Sequence, residues 1–100
     1  MRTTHEYIDT LRAHVSELQT RFGISSMHLF GSVARGEQKE GSDVDVFVEM
    51  PPVMYNACAA VEYLEDLLGC KVDLIRNHRN IRASFLSQIE EDGILIFKAA

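Results

Sequence analysis

The chain has 100 residues, 46% of them hydrophobic and 25% charged, with a formal net charge of -5 and a sequence pI near 5.2. Those proportions belong to a folded domain rather than a disordered segment, and the length predicts one domain, residues 1–100, around one core. The 10 Lys and Arg residues are scattered among 15 Asp and Glu, which excludes the clustered basic face that non-specific duplex binding needs, so no direct nucleic-acid binding is expected.

The first residues, MRTTHEYIDT, lack the apolar centre of a signal peptide, and no stretch approaches bilayer length. A cytoplasmic protein with no membrane partner is the expectation. Thr3 followed by Glu6 forms a capping box, and Ile8, Leu11, Val15, Leu18 and Phe22 alternate steps of three and four, so one helix is predicted to run to a left-handed Gly23. Residues 24–30, ISSMHLF, read as a first strand entering Gly31, and VARGE as the start of a short helix. In residues 43–49, DVDVFVE, strict alternation sends Val44, Val46 and Val48 to one face of a second strand and Asp43, Asp45 and Phe47 to the other.

Pro51-Pro52 stops that strand, and a helix is predicted from Met54 to Leu68, with Cys58, Val61, Leu64 and Leu68 inward and Gly69 at its end. Cys58 and Cys70 have neither CxxC nor zinc-ligand spacing and read as reduced, mostly buried thiols. KVDLI, residues 71–75, is a third strand, apolar except for Asp73. The polar loop RNHRN, residues 76–80, ends in Asn80 as the N-cap of a helix bearing Ile81, Phe85 and Ile89, and ILIF beyond Gly93 is a last strand. The order predicts an α/β (α+β) fold, a small mixed sheet with helices packed mainly on one face.

Two carboxylates two apart on a strand project together and repel unless a cation lies between them. Asp43 and Asp45 therefore suggest Mg²⁺, which takes hard oxygen ligands and retains waters and phosphates in its shell. Asp73 joins them if its strand is a neighbour, and three carboxylates suit two ions about 3.5–4 Å apart, the arrangement of phosphoryl and nucleotidyl transfer. Gly31 permits a tight turn, and the following short helix aims its first amides back at it, so Gly31 and Ser32 are candidate phosphate ligands. Arg35, one turn on, is either a further phosphate contact or a solvated surface residue. Gly-Ser followed ten residues later by Asp-x-Asp arises by chance in only about one chain in a thousand of this length.

GSVARGEQKEGSDVDVFVE resembles the signature of the nucleotidyltransferase (DNA polymerase β-like) superfamily, and the likeness to its minimal nucleotidyltransferase (MNT) branch extends through VDLI to IRASFLSQIEEDGILIF. The resemblance implies that Asp43 and Asp45 hold metals, that Asp73 holds the catalytic metal or activates the acceptor, and that Gly31 and Ser32 bind nucleotide phosphates. It further implies an antitoxin that transfers AMP from ATP to a tyrosine hydroxyl of a HEPN-domain ribonuclease toxin. A non-catalytic antitoxin that binds stoichiometrically is the alternative from another class, and transfer to a small molecule such as an aminoglycoside is a third. The chain lacks the extra domain with which larger relatives hold an acceptor, so the acceptor is expected on another macromolecule or completed by a homodimer or hetero-oligomer.

The remaining candidates are weaker. His5, His14, His28 and His78 have no Cys or Ser partner at a recognisable spacing and read as surface or packing residues. His78 and Arg79 follow the Asp73 strand, where they either border the nucleotide or face solvent. EQKE, residues 37–40, reads as a solvated turn, and Tyr55, Tyr63 and Phe85 as helix core or partner contacts.

Overall fold

The capping box opens the first helix where the sequence places it. In the computed structural model, which describes residues 1–99, the Glu6 amide donates to Thr3 Oγ1 at 3.2 Å and the Thr3 amide to Glu6 Oε1 at 2.8 Å. Two of the amides that a helix start leaves without partners are thereby satisfied. The single helix expected from the periodicity is broken at His14, giving α1 (Thr4–Ala13) and α2 (Val15–Phe22). His14 Nδ1 lies 2.9 Å from the Thr10 carbonyl oxygen, and its own amide turns to Leu11 O instead. The tightened turn re-phases the apolar stripe, so Tyr7, Leu11, Leu18 and Phe22 are buried while Ile8 and Val15 are half-buried. Gly23, with φ 72, ends α2 as predicted.

Four strands, β1 (Ser26–Phe30), β2 (Val44–Glu49), β3 (Val72–Arg76) and β4 (Ile94–Lys98), form one sheet in the order β3-β2-β1-β4. β1 runs antiparallel to β2 and β4, whereas β2 and β3 are parallel. Parallel neighbours need a crossover, and α4 (Met54–Leu68) supplies it. On one face Met27, Leu29, Val44, Val46 and Val48 join Tyr7, Leu11, Leu18 and Leu64 in the core. The opposite face carries Phe30, Asp45, Phe47, Asp73 and Ile75, and α5 (Ala83–Asp92) crosses part of it. Phe85 of α5 meets Phe30 and Phe47 edge-on, with ring centroids 5.6 Å and 5.5 Å apart. The helices thus lie mainly, but not wholly, on one side.

Two expectations need correction. Cys58 is exposed and Cys70 only half-buried. Stepping back from Leu64 by four and seven residues reaches Ala60 and Ala57, so the inward stripe of α4 bypasses Cys58. The last helix starts at Ala83 with Arg82 as its cap and no side-chain cap bond, because residues 78–81 close a separate turn in which the Ile81 amide reaches His78 O and the Asn80 amide reaches His78 Nδ1. Asn80 is therefore not its N-cap.

The sheet rims are partly occupied. Arg12 donates from Nε to Ile96 O at 3.1 Å and from Nη2 to Leu95 O at 2.9 Å on β4, while Glu65 Oε2 accepts the Val72 amide at 3.1 Å on β3. Among the described residues, no helix is long and apolar enough to cross a membrane. Leu64 is fully buried at the contact of α4 with the sheet, so Leu64→Ala is expected to lower stability by roughly 2–5 kcal/mol, seen in urea titration as a lower midpoint with an unchanged slope.

Candidate active site

β1 ends at Phe30 and the chain turns at Gly31, whose φ of 74 lies in the left-handed region that favours glycine. The position is closed to larger residues for a second reason. A Cβ there would collide with Asp45 Oδ2 and stand 3.1 Å from Asp45 Cγ. The backbone therefore passes directly against this carboxylate and continues into α3 (Gly31–Arg35), with half-buried Ser32 in its first turn. Thr4 Oγ1 donates to Val33 O at 2.5 Å and ties α3 to α1, and the Glu37 amide donates to Ser32 O at 2.8 Å. The connection to β2 is folded rather than loose: the Lys39 amide donates to Ser42 Oγ and the Ser42 amide to Lys39 O, both at 2.9 Å.

Asp45 faces Phe30 across β1 and Asp73 across β3 in direct register. The predicted third carboxylate is therefore beside the second, on the same face of adjacent strands, where parallel neighbours stand about 4.8 Å apart. Asp43 sits exposed just before β2. Burial pushes the Asp45 carboxyl above its ordinary value, the charges of Asp73 and Asp43 push it further, and Arg35 acts in the opposite sense. The three acids thus share one field without closing into a shell: among the described residues, no three His, Cys, Asp or Glu side chains converge closely enough to hold an ion.

Arg35 lies at the edge of this group. Its Nε donates to Glu37 Oε1 at 2.6 Å, a bond that raises the guanidinium pKa, so a phosphate contact would require exchange of that partner. His78 and Arg79 lie elsewhere. The Asn77 amide bonds Val48 O at 2.8 Å, which puts the loop beyond the far ends of β2 and β3 from Asp45 and Asp73, and Arg79 lines a groove with Glu49 and Met50. His28, on the Asp45 face of β1, has its Nδ1 buried without a partner, and burial lowers its pKa.

Two hollows that the residue pattern alone did not reveal lie against Phe85. One of about 170 Å³ adjoins Gly31 and Arg35 and is walled by Phe30, Phe85 and Ile89. The other, about 290 Å³, is lined by Ile75, Ile81 and Phe85 beside Arg82. The signal for the second was present as the alternation of Asp73 with Ile75, which sends both to one face. An oxygen-only acidic cluster beside a glycine turn can neutralise a hard cation and receive a polyphosphate.

The fold is that of a nucleotidyltransferase. The nucleotidyltransferase domain family matches residues 11–96, and the chain belongs to that family. The protein adenylyltransferase MntA of Thermococcus cleftensis is 46% identical over 77 residues, covering 75% of this chain and 78% of the relative. A solved structure assigned to the minimal nucleotidyltransferases superposes with a TM-score of 0.75 at 30% identity, covering 93% of this chain and 95% of that one. The complex of a tri-AMPylated Shewanella oneidensis HEPN toxin with an MNT antitoxin shares the fold at a TM-score of 0.66 and 15% identity, over 97% of this chain and 74% of that one.

Two outcomes follow from the geometry. Because the folded-state pKa of Asp45 is raised, ionisation there destabilises the fold above that pKa, and the penalty is lost as pH falls through it toward the unfolded value. Asp45→Asn should therefore melt higher than the parent in chelator-containing buffer at neutral pH, with the two melting temperatures converging on acidification. Gly31→Ala should push the Asp45 carboxylate aside and strain the turn by about 1–2 kcal/mol, giving a folded protein by circular dichroism whose turnover falls far more than its stability.

Proposed function

We propose that the protein is a Mg²⁺-dependent protein adenylyltransferase that moves AMP from ATP to a tyrosine hydroxyl of a HEPN-type ribonuclease toxin, and so acts as its antitoxin. The observation that carries this reading is the in-register pair Asp45 and Asp73 beside the Gly31 turn. Membership of the nucleotidyltransferase family supports the reaction class, and the MntA relative and the AMPylated toxin complex support the acceptor class.

In this reading the Gly31 and Ser32 amides and the Ser32 hydroxyl hold the nucleotide phosphates, and Arg35 exchanges Glu37 for a phosphate oxygen. Asp43, Asp45 and Asp73 supply only anionic oxygens, which is the donor set a hard dication takes. Mg²⁺, when bound, supplies the positive charge that stabilises the phosphoryl oxygens during transfer. We assign Asp73 to the acceptor side, a reading supported by the position of β3 on the side of β2 away from the Gly31 turn. It receives the hydroxyl proton as the acceptor oxygen bonds to the α-phosphorus and pyrophosphate departs.

The test uses the purified protein, its HEPN partner, ATP and Mg²⁺. The partner should gain the mass of AMP on tyrosine at substoichiometric amounts of this protein, release pyrophosphate, and stay inactive after the two are separated. Asp43→Asn should reduce transfer by about a thousandfold, equivalent to roughly 4 kcal/mol, while keeping the fold. Full inhibition by equimolar Asp43→Asn protein, with no mass change on the partner, would instead assign a stoichiometric binding antitoxin.

A further inference from the structure

β3 borders the sheet, and its outer edge is open at the centre. The Val44 amide bonds Lys71 O and the Asn77 amide bonds Val48 O, so Lys71, Asp73, Ile75 and Asn77 turn their main-chain groups toward β2. Val72, Leu74 and Arg76 therefore direct theirs outward. Glu65 Oε2 takes the Val72 amide, whereas the Leu74 main-chain groups and the Arg76 amide have no partner among the described residues. Beside this edge lies a groove of about 300 Å³, between Leu74 and Arg76 on the strand and Pro52, Met54 and Ala57 at the start of α4. Met54 is 78% exposed. Helical spacing carries the same side of α4 from Met54 through Cys58 and Val61 to Glu65, the residue bonded to β3. The apolar arc of α4 is thus wider than the sheet beneath it, which leaves Cys58 exposed and Val61 half-buried. One more strand beside β3 would cover that arc.

Charge identifies the strand. Glu65 and Arg76 form no ion pair among the described residues, and Arg76 donates to Asn77 O alone, at 3.0 Å. They stand at opposite ends of the β3 edge, about 13 Å apart. A second β3 laid antiparallel, Leu74 against Leu74, sets Arg76 of each copy opposite Val72 of the other. Both side chains then lie on the α4 face, beside the Glu65 already bonded there. The contact is self-complementary: two ion pairs about a twofold axis, reciprocal bonds between the Leu74 main chains, and a bond from each Arg76 amide to the Val72 carbonyl of the other copy. An unrelated acidic peptide would satisfy Arg76 but would set its own charge against Glu65.

We propose that two copies of this chain join along β3, turning two four-stranded sheets into one of eight strands. The offset that pairs Leu74 with Leu74 also puts Asp73 opposite Ile75 of the second copy, on the face away from α4. The carboxylate face of each copy then continues onto the apolar groove of the other, at Ile75, Ile81 and Phe85. Each candidate active site thereby gains a wall on the side where β3 leaves it open. Opposing the contact, the two Asp73 side chains become diagonal neighbours about 7–8 Å apart. Across solvent that repulsion is weaker than two ion pairs at hydrogen-bond distance.

Sedimentation equilibrium of the full chain over the micromolar range should show a monomer and dimer in exchange. Arg76→Glu and Glu65→Arg should each weaken the dimer by about tenfold, and the double variant should restore it to within about threefold of the parent. Rescue cannot arise inside one copy, because the two residues lie at opposite ends of the strand. Circular dichroism melts separate any loss of the Val72 bond in Glu65→Arg from loss of the dimer. The register has its own test: Leu74→Cys in a Cys58→Ser background should form a disulfide-linked dimer on mild oxidation, since the paired Cα atoms stand about 5.5 Å apart. A parent that remains monomeric would overturn the proposal. A dimer indifferent to Arg76→Glu, a double variant no better than the single ones, or a Leu74→Cys protein that does not cross-link would overturn it equally, placing the contact elsewhere on the surface.

Discussion

The main-chain hydrogen bonds between β2 and β3 hold two carboxylates side by side, and the chemistry proposed for the molecule depends on that pairing. The Val44 amide meets Lys71 O at one end and the Asn77 amide meets Val48 O at the other, so the register is fixed at both limits of the ladder. A slip of one residue would turn Asp73 into the core and Val72 to the surface, and the burial of Val72 and Val46 opposes it. Repulsion between Asp45 and Asp73 acts against the same pairing. It is outweighed by burial on the other face, where the valines of β2 share one core with Leu64 and Leu68 of the crossover helix.

Contact between the Gly31 backbone and the Asp45 carboxylate couples the two halves of the signature. The glycine is not only a turn residue, because any side chain would occupy the space of the acid it faces. The tie from Thr4 to Val33 fixes the short α3, and the Lys39 and Ser42 turn fixes the return to β2, so the segment between Gly31 and Asp45 is held at several points. The fixed spacing read from the sequence is thus a closed structural loop rather than two motifs on a string.

Much of this was legible from residue order because the relevant signals are local. Thr3 with Glu6, Gly23, Gly69 and the alternation of Val44, Asp45 and Val46 each act over a few residues, and each appears where it was expected. The adjacency of Asp73 to Asp45 needed the strand order, which periodicity alone does not determine. The break at His14 was hidden because a ring nitrogen competing for the Thr10 carbonyl leaves the apolar spacing almost intact. Cys58 was misplaced because small Ala57 and Ala60 carry the true inward stripe of α4, and alanine gives a weak apolar signal. The late start of α5 and the groove beside Phe85 arise from a turn and a helix crossing that join residues far apart in the chain.

The guanidinium of Arg12 has a role beyond fastening α1 to the sheet. β4 is a border strand whose core, ILIF, is short, apolar and rich in branched side chains, the composition that favours stacking of chains into cross-β aggregates. By occupying the Leu95 and Ile96 carbonyls, Arg12 removes acceptors that an incoming strand would seek. A residue in the first helix therefore guards the last strand, and colloidal stability of the folded chain is set partly by whether its N-terminal helix stays docked.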